Sequence, residues 1–489
     1  MSIRITILLT SALMASGCSM LAPNYERPLL PIASQWPAAL NDTTSSDGRA
    51  ISQWPWQHVV LEPRLQAVIT LALANNRDAR IAALQVTRAR AVYGVGRSQL
   101  FPSIDITGTS TNSRLSPSSR SIGAGGTSGG GIYRQQQVGI GISNFELDVF
   151  GRLSNLSDSA REQFLASSDT QRSIALSLIS EVASAWLTLA ADAEQLSLSE
   201  QTQQARQQAF DLVSQRVNAG VGSRLDSTAA ESSLHIAIAS TAELRALVAQ
   251  DKNALSLLLG THLPAELTPT QLPSKATIDT LPGGIPAEVL VARPDVMAAE
   301  HLLKARYADI GAARAAFFPS ISLTASTGSA STELSGLFGG GTRVWSFAPQ
   351  IRIPLFAAGR NLANLRISQA DRDIAVAQYE KTVQTAFREV ADALATLSTR
   401  DEQLNARRAI TKANDERLTL AQARFDAGLD NYLSLLDSQR EAFSSAQDRI
   451  RAELAHQAAI ITLYKALGGG TAAPPPAQMP APTGDAPHP

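Results

Sequence analysis

The chain of 489 residues has one cysteine, Cys18, so no disulfide can form within it. Aromatic residues make up 5%, too few for a thick globular core and better suited to long helices packed through Ala and Ser. A net charge of −1 leaves no basic surplus to attract nucleic acid. The six histidines are scattered without metal-ligand spacing. Gly94-x-Gly96 and Gly139-x-Gly141 lack the rest of a dinucleotide fingerprint, and no phosphate-binding loop motif is present. The chain therefore does not read as an enzyme, and no catalytic, metal or cofactor-binding residue is predicted. Beyond the first 20 residues no apolar run is expected to reach the ~18–20 residues of a membrane-crossing helix. A chain that spans a bilayer under that constraint must use strands.

Two long stretches lack both glycine and proline, the residues that break helices. One is residues 360–427, between Gly359 and Gly428; the other is residues 152–219, between Gly151 and Gly220. As single helices rising 1.5 Å per residue, each would be about 100 Å long. Val383, Ala386, Val390, Ala393 and Leu397 alternate spacings of three and four, a heptad seam of mostly small residues. The seam recurs 208 residues earlier as Ala175, Leu178, Val182, Ala185 and Leu189. The flanking glycines keep the same offset, so the stretch predicts a tandem duplication.

The remaining segments fall into place around these runs. Residues 1–17 read as a secretory signal, with Arg4, an apolar run and small residues before Cys18. Residues 18–62 are rich in Pro and Ser and read as an extended arm. The first repeat spans 63–260: a helix to Gln99, a hairpin at 103–149, the long helix 152–219 and a helix at 223–259. A proline-rich linker covers 261–284. The second repeat spans 285–468, with a helix to Ala316, a hairpin at 320–356, the long helix 360–427 and a helix at 429–467. Residues 469–489 form a Pro/Ala-rich tail that is expected to be disordered. Within the first hairpin the alternating phase slips near Asn144, which predicts a β-bulge.

Two hairpins supply four strands of the length that crosses a tilted bilayer. Four cannot close a barrel, and open edges in lipid leave backbone groups unpaired. Other copies of the chain must complete the sheet: a trimer would give twelve strands, a dimer eight, and the arithmetic accepts both.

Ala15-Ser16-Gly17-Cys18 resembles a bacterial lipobox, with Ala15 where Leu is commoner. Ala22-Pro23-Asn24-Tyr25-Glu26-Arg27-Pro28 resembles the post-cysteine motif of the outer membrane factor family's lipoprotein branch. Ala292-Arg293-Pro294-Asp295-Val296, Ala299-Glu300 and Phe318-Pro319-Ser320-Ile321-Ser322-Leu323 resemble that branch's second-repeat signature. The order of matches covers nearly the whole chain after Cys18, and on it the chain is similar to the TolC-like outer membrane channels of tripartite pumps. The resemblance implies a mainly α fold with a small β part, a homotrimer with a twelve-stranded transmembrane β-barrel, and a periplasmic α-helical barrel continuous with it. It implies a covalent lipid on Cys18, with Ser19 pointing to outer membrane lipid, and no other cofactor. Its implied partners are a periplasmic adaptor protein and an inner-membrane transporter of RND type, with no nucleic acid.

Two sites follow from the same match. Leu433 and Asp437 share one helix face at i,i+4, and the segment 430–440 resembles the family's aperture. By that resemblance Leu433 and Asp437, with Tyr432 and Arg440, form a periplasmic gate. Read from the residues alone, Asp437 pairs with Arg440 at i+3 on a solvated face. Ala229 stands opposite Asp437 in the first repeat, so gating is predicted to be asymmetric. The turns Gly220-Val221-Gly222-Ser223 and Gly428-Leu429-Asp430 read as helix C-caps, and the resemblance makes them adaptor-docking tips. Two rival readings stand beside efflux: an exit duct for type I protein secretion, and a non-conducting, lipid-anchored coiled-coil scaffold.

Overall fold

A computed structural model of the chain describes residues 21–33, 36, 55–114, 132–273 and 287–469. Cys18, the glycine-rich loop at 123–131, the later part of the linker and the tail beyond Gly469 lie outside the described residues. The elements in order are α1 (Trp56–Val59), α2 (Pro63–Asn75), α3 (Arg77–Ser98), β1 (Asp105–Arg114), β2 (Ile132–Leu147), α4 (Arg152–Asn218) and α5 (Arg224–Leu259). After short 3-10 turns come α6 (Pro294–Ala315), β3 (Ser320–Ser331), β4 (Arg343–Arg352), α7 (Arg360–Asp426) and α8 (Tyr432–Ala466). The chain is mainly helical with one small sheet, and α4 and α7 are each 67 residues long. Two compact units are distinguished: residues 1–28, 87–166 and 300–378 in one, and 29–86, 167–299 and 379–489 in the other.

The first unit holds the sheet, antiparallel throughout in the order β1-β2-β3-β4. Strand side chains alternate between faces. Register sets Ile106, Ile140, Thr327 and Trp345 in one row, followed by Ile142, Ala325 and Phe347, then Leu147, Ile321 and Ile351. The opposite face carries Thr107, Thr109, Gln137, Ser322, Thr324, Ser326 and Ser346, nearly all small or polar. Register shifts between Ile142 and Phe145, where Asn144 takes φ 53°, so the predicted bulge is present. Between the hairpins β2 and β3 approach closely: a Cβ on Gly328 would lie 2.1 Å from the Val138 carbonyl oxygen. Among the described residues, β1 and β4 have no outer neighbour.

The second unit contains the helical core. Leu65, Val68, Ile69 and Ala72 of α2 are buried, as are Leu178, Val182, Trp186, Leu187 and Leu189 of α4. On α7 the seam residues Val383, Ala386, Val390 and Ala393 are buried; Leu394 rather than Leu397 continues it. The first half of the linker is ordered, with the Trp186 indole donating to the Leu267 carbonyl at 3.1 Å.

Two expectations are corrected. The helix predicted through Gln99 breaks at Asn76, whose side-chain oxygen accepts from the Ala79 amide at 2.9 Å. The same side chain donates to the Leu258 carbonyl at 2.8 Å, so one asparagine caps two helix ends. On α3, Ile81, Leu84 and Val92 are half exposed in the single chain. Finally, α4 does contain an 18-residue window of mean hydropathy 1.7, long and apolar enough to cross a bilayer. Polar residues interrupt the run without lowering its average, and 56% of the window is buried inside the chain. Burial fits a packed core helix.

Candidate functional site

The two turns joining long to short helices are built alike. Gly220 and Gly428 take φ 76° and 72°, a conformation that costs glycine nothing. The Val221 amide donates back to the Arg216 carbonyl at 3.0 Å, and Leu429 to Arg424 at 2.9 Å. Gly220 and Gly428 donate to Val217 and Phe425, completing a Schellman cap in each case. The following helices start on side-chain caps: Ser223 Oγ accepts from Leu225, and Asn431 Oδ1 from Ser434. The second turn adds a clamp, with Arg424 donating two hydrogen bonds to Asp430 at 2.7 and 3.0 Å. Arg424 holds the Asp430 carboxyl below the usual carboxylate range. Val221 and Leu429 are exposed at 79% and 68%.

Just beyond the turns, four helices meet. Val213 of α4, Ala230 of α5, Ala421 of α7 and Tyr432, Leu435 and Leu436 of α8 form one buried cluster, flanked by Ala209, Phe210, Ala229, Leu418 and Phe425. Tyr432 packs edge-on to Phe425, and the Arg216 guanidinium sits 5.3 Å over that same ring, tying the two hairpins together. Tyr432 was expected at the gate with Leu433 and Asp437, but at 4% exposure it points into this core. Its burial pushes the phenol pKa up, against the pull of nearby Arg206.

Arg206 is the residue that sequence reasoning missed. It is 5% exposed and donates to the Gln439 side-chain oxygen, linking α4 to α8. Burial pushes its pKa down, opposed by Tyr432. The signal was available: Arg206, Ala209, Phe210 and Val213 share one helix face, so an arginine stands where the seam calls for an apolar residue.

Leu433, Asp437 and Arg440 share the exposed side of α8, with Leu433 at 63%. Asp437 does not pair with Arg440 as the residues alone suggested. Its carboxylate accepts from Arg417 of α7 at 2.7 Å, both side chains about half exposed. A helix-to-helix ion pair at that exposure contributes about 0–1 kcal/mol, so it orients the acid more than it stabilises the fold. Among the described residues, no cluster of three or more His, Cys, Asp or Glu is placed to hold a metal ion.

This chain is 42% identical over 466 residues to the "Toluene efflux pump outer membrane protein TtgC" of Pseudomonas putida, covering 95% of both chains. To the "Outer membrane protein OprJ" of Pseudomonas aeruginosa it is 41% identical over 462 residues, 94% of each. The fold is similar to the open state of the MtrE outer membrane channel of Neisseria gonorrhoeae, with TM-score 0.82, 35% identity, and coverage of 92% of this chain and 98% of that one. A family described as outer membrane efflux protein matches residues 68–261 and 285–469. The open sheet with its apolar face, the paired helical hairpins and these matches agree: the chain belongs to the outer membrane efflux protein family.

Proposed function

We propose that this protein is the outer-membrane exit channel of a tripartite efflux pump, passing drugs, solvents or other small toxic compounds passively from the periplasm. The observation that carries the reading is the four-stranded sheet with an apolar face and two unpaired edges. In lipid such edges must be closed. Three copies give a twelve-stranded barrel, an even number within the known range. The half-exposed Ile81, Leu84 and Val92 of α3 support packing against another copy. Recurrence of the helix–hairpin–long helix–short helix order, with two 67-residue helices and two stretches matched by one family, supports a duplicated protomer.

In the trimer Leu433 and Asp437 would ring the periplasmic mouth, the leucines closing it and the carboxylates favouring cations. The exposed apolar side chains at Val221 and Leu429 support docking of a periplasmic adaptor, with an RND-type inner-membrane transporter supplying the work. Names of relatives that include toluene efflux support small apolar cargo. Lipid on Cys18 would anchor the arm in the outer membrane. This reading assigns the chain no catalytic step.

Single-channel conductance in planar bilayers tests it. Wild type should give small, cation-selective currents that grow in Leu433→Ala with Asp437→Ala. Absence of current from a folded, inserted preparation of either protein would sink the channel.

A further inference from the structure

The two motifs that looked unrelated in sequence, Tyr25-x-Arg27 after the cysteine and Glu300 in the second repeat, are bonded to each other. Arg27 donates to both Glu300 oxygens, at 3.0 and 2.9 Å, and the Tyr25 hydroxyl donates to the same carboxylate at 3.0 Å. Glu300 is only 5% exposed, and its other charged partner is Lys304 at 3.1 Å. Tyr25 is also gripped through its ring, edge-on to Tyr307 at 5.5 Å with the Lys304 ammonium 5.1 Å above its face.

Contacts continue along α6. At Gly311 an added Cβ would come 2.8 Å from the Ala22 amide nitrogen, so the arm lies directly on the helix there. Arg314 then donates to the Leu21 carbonyl at 3.0 Å. The spans agree: from Glu300 to Arg314 an α-helix rises about 21 Å. Leu21 to Arg27 covers about 20 Å only when fully extended. The arm therefore runs antiparallel to α6, and its upstream end meets the end of α6 that leads into β3. Three residues past Arg314, Phe317 and Phe318 are exposed at 44% and 42%, and the apolar face of β3 begins at Ile321. Three residue steps lead from Leu21 back to Cys18, a reach of about 10 Å.

We propose that the arm is a ruler: Glu300 clamps it so that the acyl chains on Cys18 enter the bilayer beside Phe317 and Phe318, level with the rim of the sheet. The partner is a lipid surface, and Glu300 is the positioning residue. Anchor and barrel rim then meet the same leaflet, so insertion of one registers the other. The proposal rests on the lipid reading of Cys18 given above, and its two parts fail separately.

The test places a nitroxide spin label on Leu21→Cys in protein reconstituted in phosphatidylethanolamine and phosphatidylglycerol vesicles. The label should be immobilised, and relaxed more by oxygen than by a water-soluble nickel chelate. Tyr25→Ala with Arg27→Ala, which leaves α6 untouched, should abolish the immobile component and reverse the oxygen-to-nickel preference. Arg27→Glu with Glu300→Arg should restore both. A label already mobile in the parent, or unchanged by the Tyr25/Arg27 pair, would overturn the ruler. Mass spectrometry of the parent's N-terminal peptide decides the lipid separately. Acyl chains on Cys18 support the proposal, and a docked arm on an unacylated peptide would overturn its membrane half alone.

Discussion

The two helical hairpins share a backbone and divide the chemistry. At an offset of 208 residues, Arg417 and Asp437 correspond to Ala209 and Ala229. In the second hairpin these positions form an exposed ion pair; in the first they are small side chains packed against the four-helix cluster. Asp430 corresponds to Gly222, so a charged clamp on one turn is replaced by close packing on the other. Tyr432, buried, corresponds to exposed Arg224. The same turn geometry thus recurs while one hairpin carries charge at its surface and the other carries small packed side chains. The lesson is that these Schellman caps and helix lengths are structural, whereas what lies on the outer faces is where the halves part.

Substitutions at matched positions should expose that division. Tyr432→Ala removes a buried ring shared by four helices and should cost about 3–5 kcal/mol in denaturant unfolding. Arg224→Ala, at the matching position, should stay within about 0.5 kcal/mol. Equal losses at both would mean the first hairpin has a core role not visible in its contacts. Ala229→Asp buries part of a carboxylate against apolar neighbours and should cost about 1–3 kcal/mol. Asp437→Ala should leave unfolding nearly unchanged and raise conductance, which reverses the order of effects between stability and current.

The turns offer a finer contrast. On Gly222→Ala the new Cβ would fall 2.7 Å from the Val217 nitrogen, and the strain should cost about 1–2 kcal/mol. Asp430→Ala should instead show its effect only as a loss of salt dependence in binding of the proposed adaptor, measured by titration at low and high salt.

A last contrast concerns pH. Burial, then the neighbouring Asp192, raises Asp251 in the α4–α5 hairpin from 3.8 to about 6. Between those values the folded chain keeps a proton that the unfolded chain has released, so stability should fall as pH rises from about 4 to 6. The matched residues of the second hairpin are Arg400 and Ala459, which cannot share a proton. Asp251→Asn should flatten the profile; an unchanged slope in thermal melts would place its origin elsewhere.

Much of this was legible in the sequence because it depends on local rules. Freedom from Gly and Pro marked α4 and α7 to within a residue or so of their ends, and alternation with one phase slip marked β2 and its bulge. The side to which a helix residue turns was harder, since it depends on neighbours distant in the chain. Tyr432 and Leu433 are adjacent, yet one is core and the other is exposed. Arg417 as the partner of Asp437 and Gln439 as the partner of Arg206 are contacts between helices, and no single-helix spacing encodes them. Asn76 hid for a related reason: its role as a break depends on a carbonyl of α5. The apolarity of α4 lies in an average spread between polar residues, and no unbroken run displays it.

The narrow seam between β2 and β3 has a consequence for how the family can diversify. At Gly328 a side chain would strike the Val138 carbonyl, and at Gly141 a Cβ would fall 2.5 Å from the carbonyl oxygen of Ala325. No rotamer escapes a clash that begins at Cβ, so a saturation library here should return glycine almost alone. The junction where the two halves of the sheet meet is closed to mutation. Variation along the sheet is left to β1 and β4, its outer strands among the described residues, so the two edges are the adjustable part of the wall.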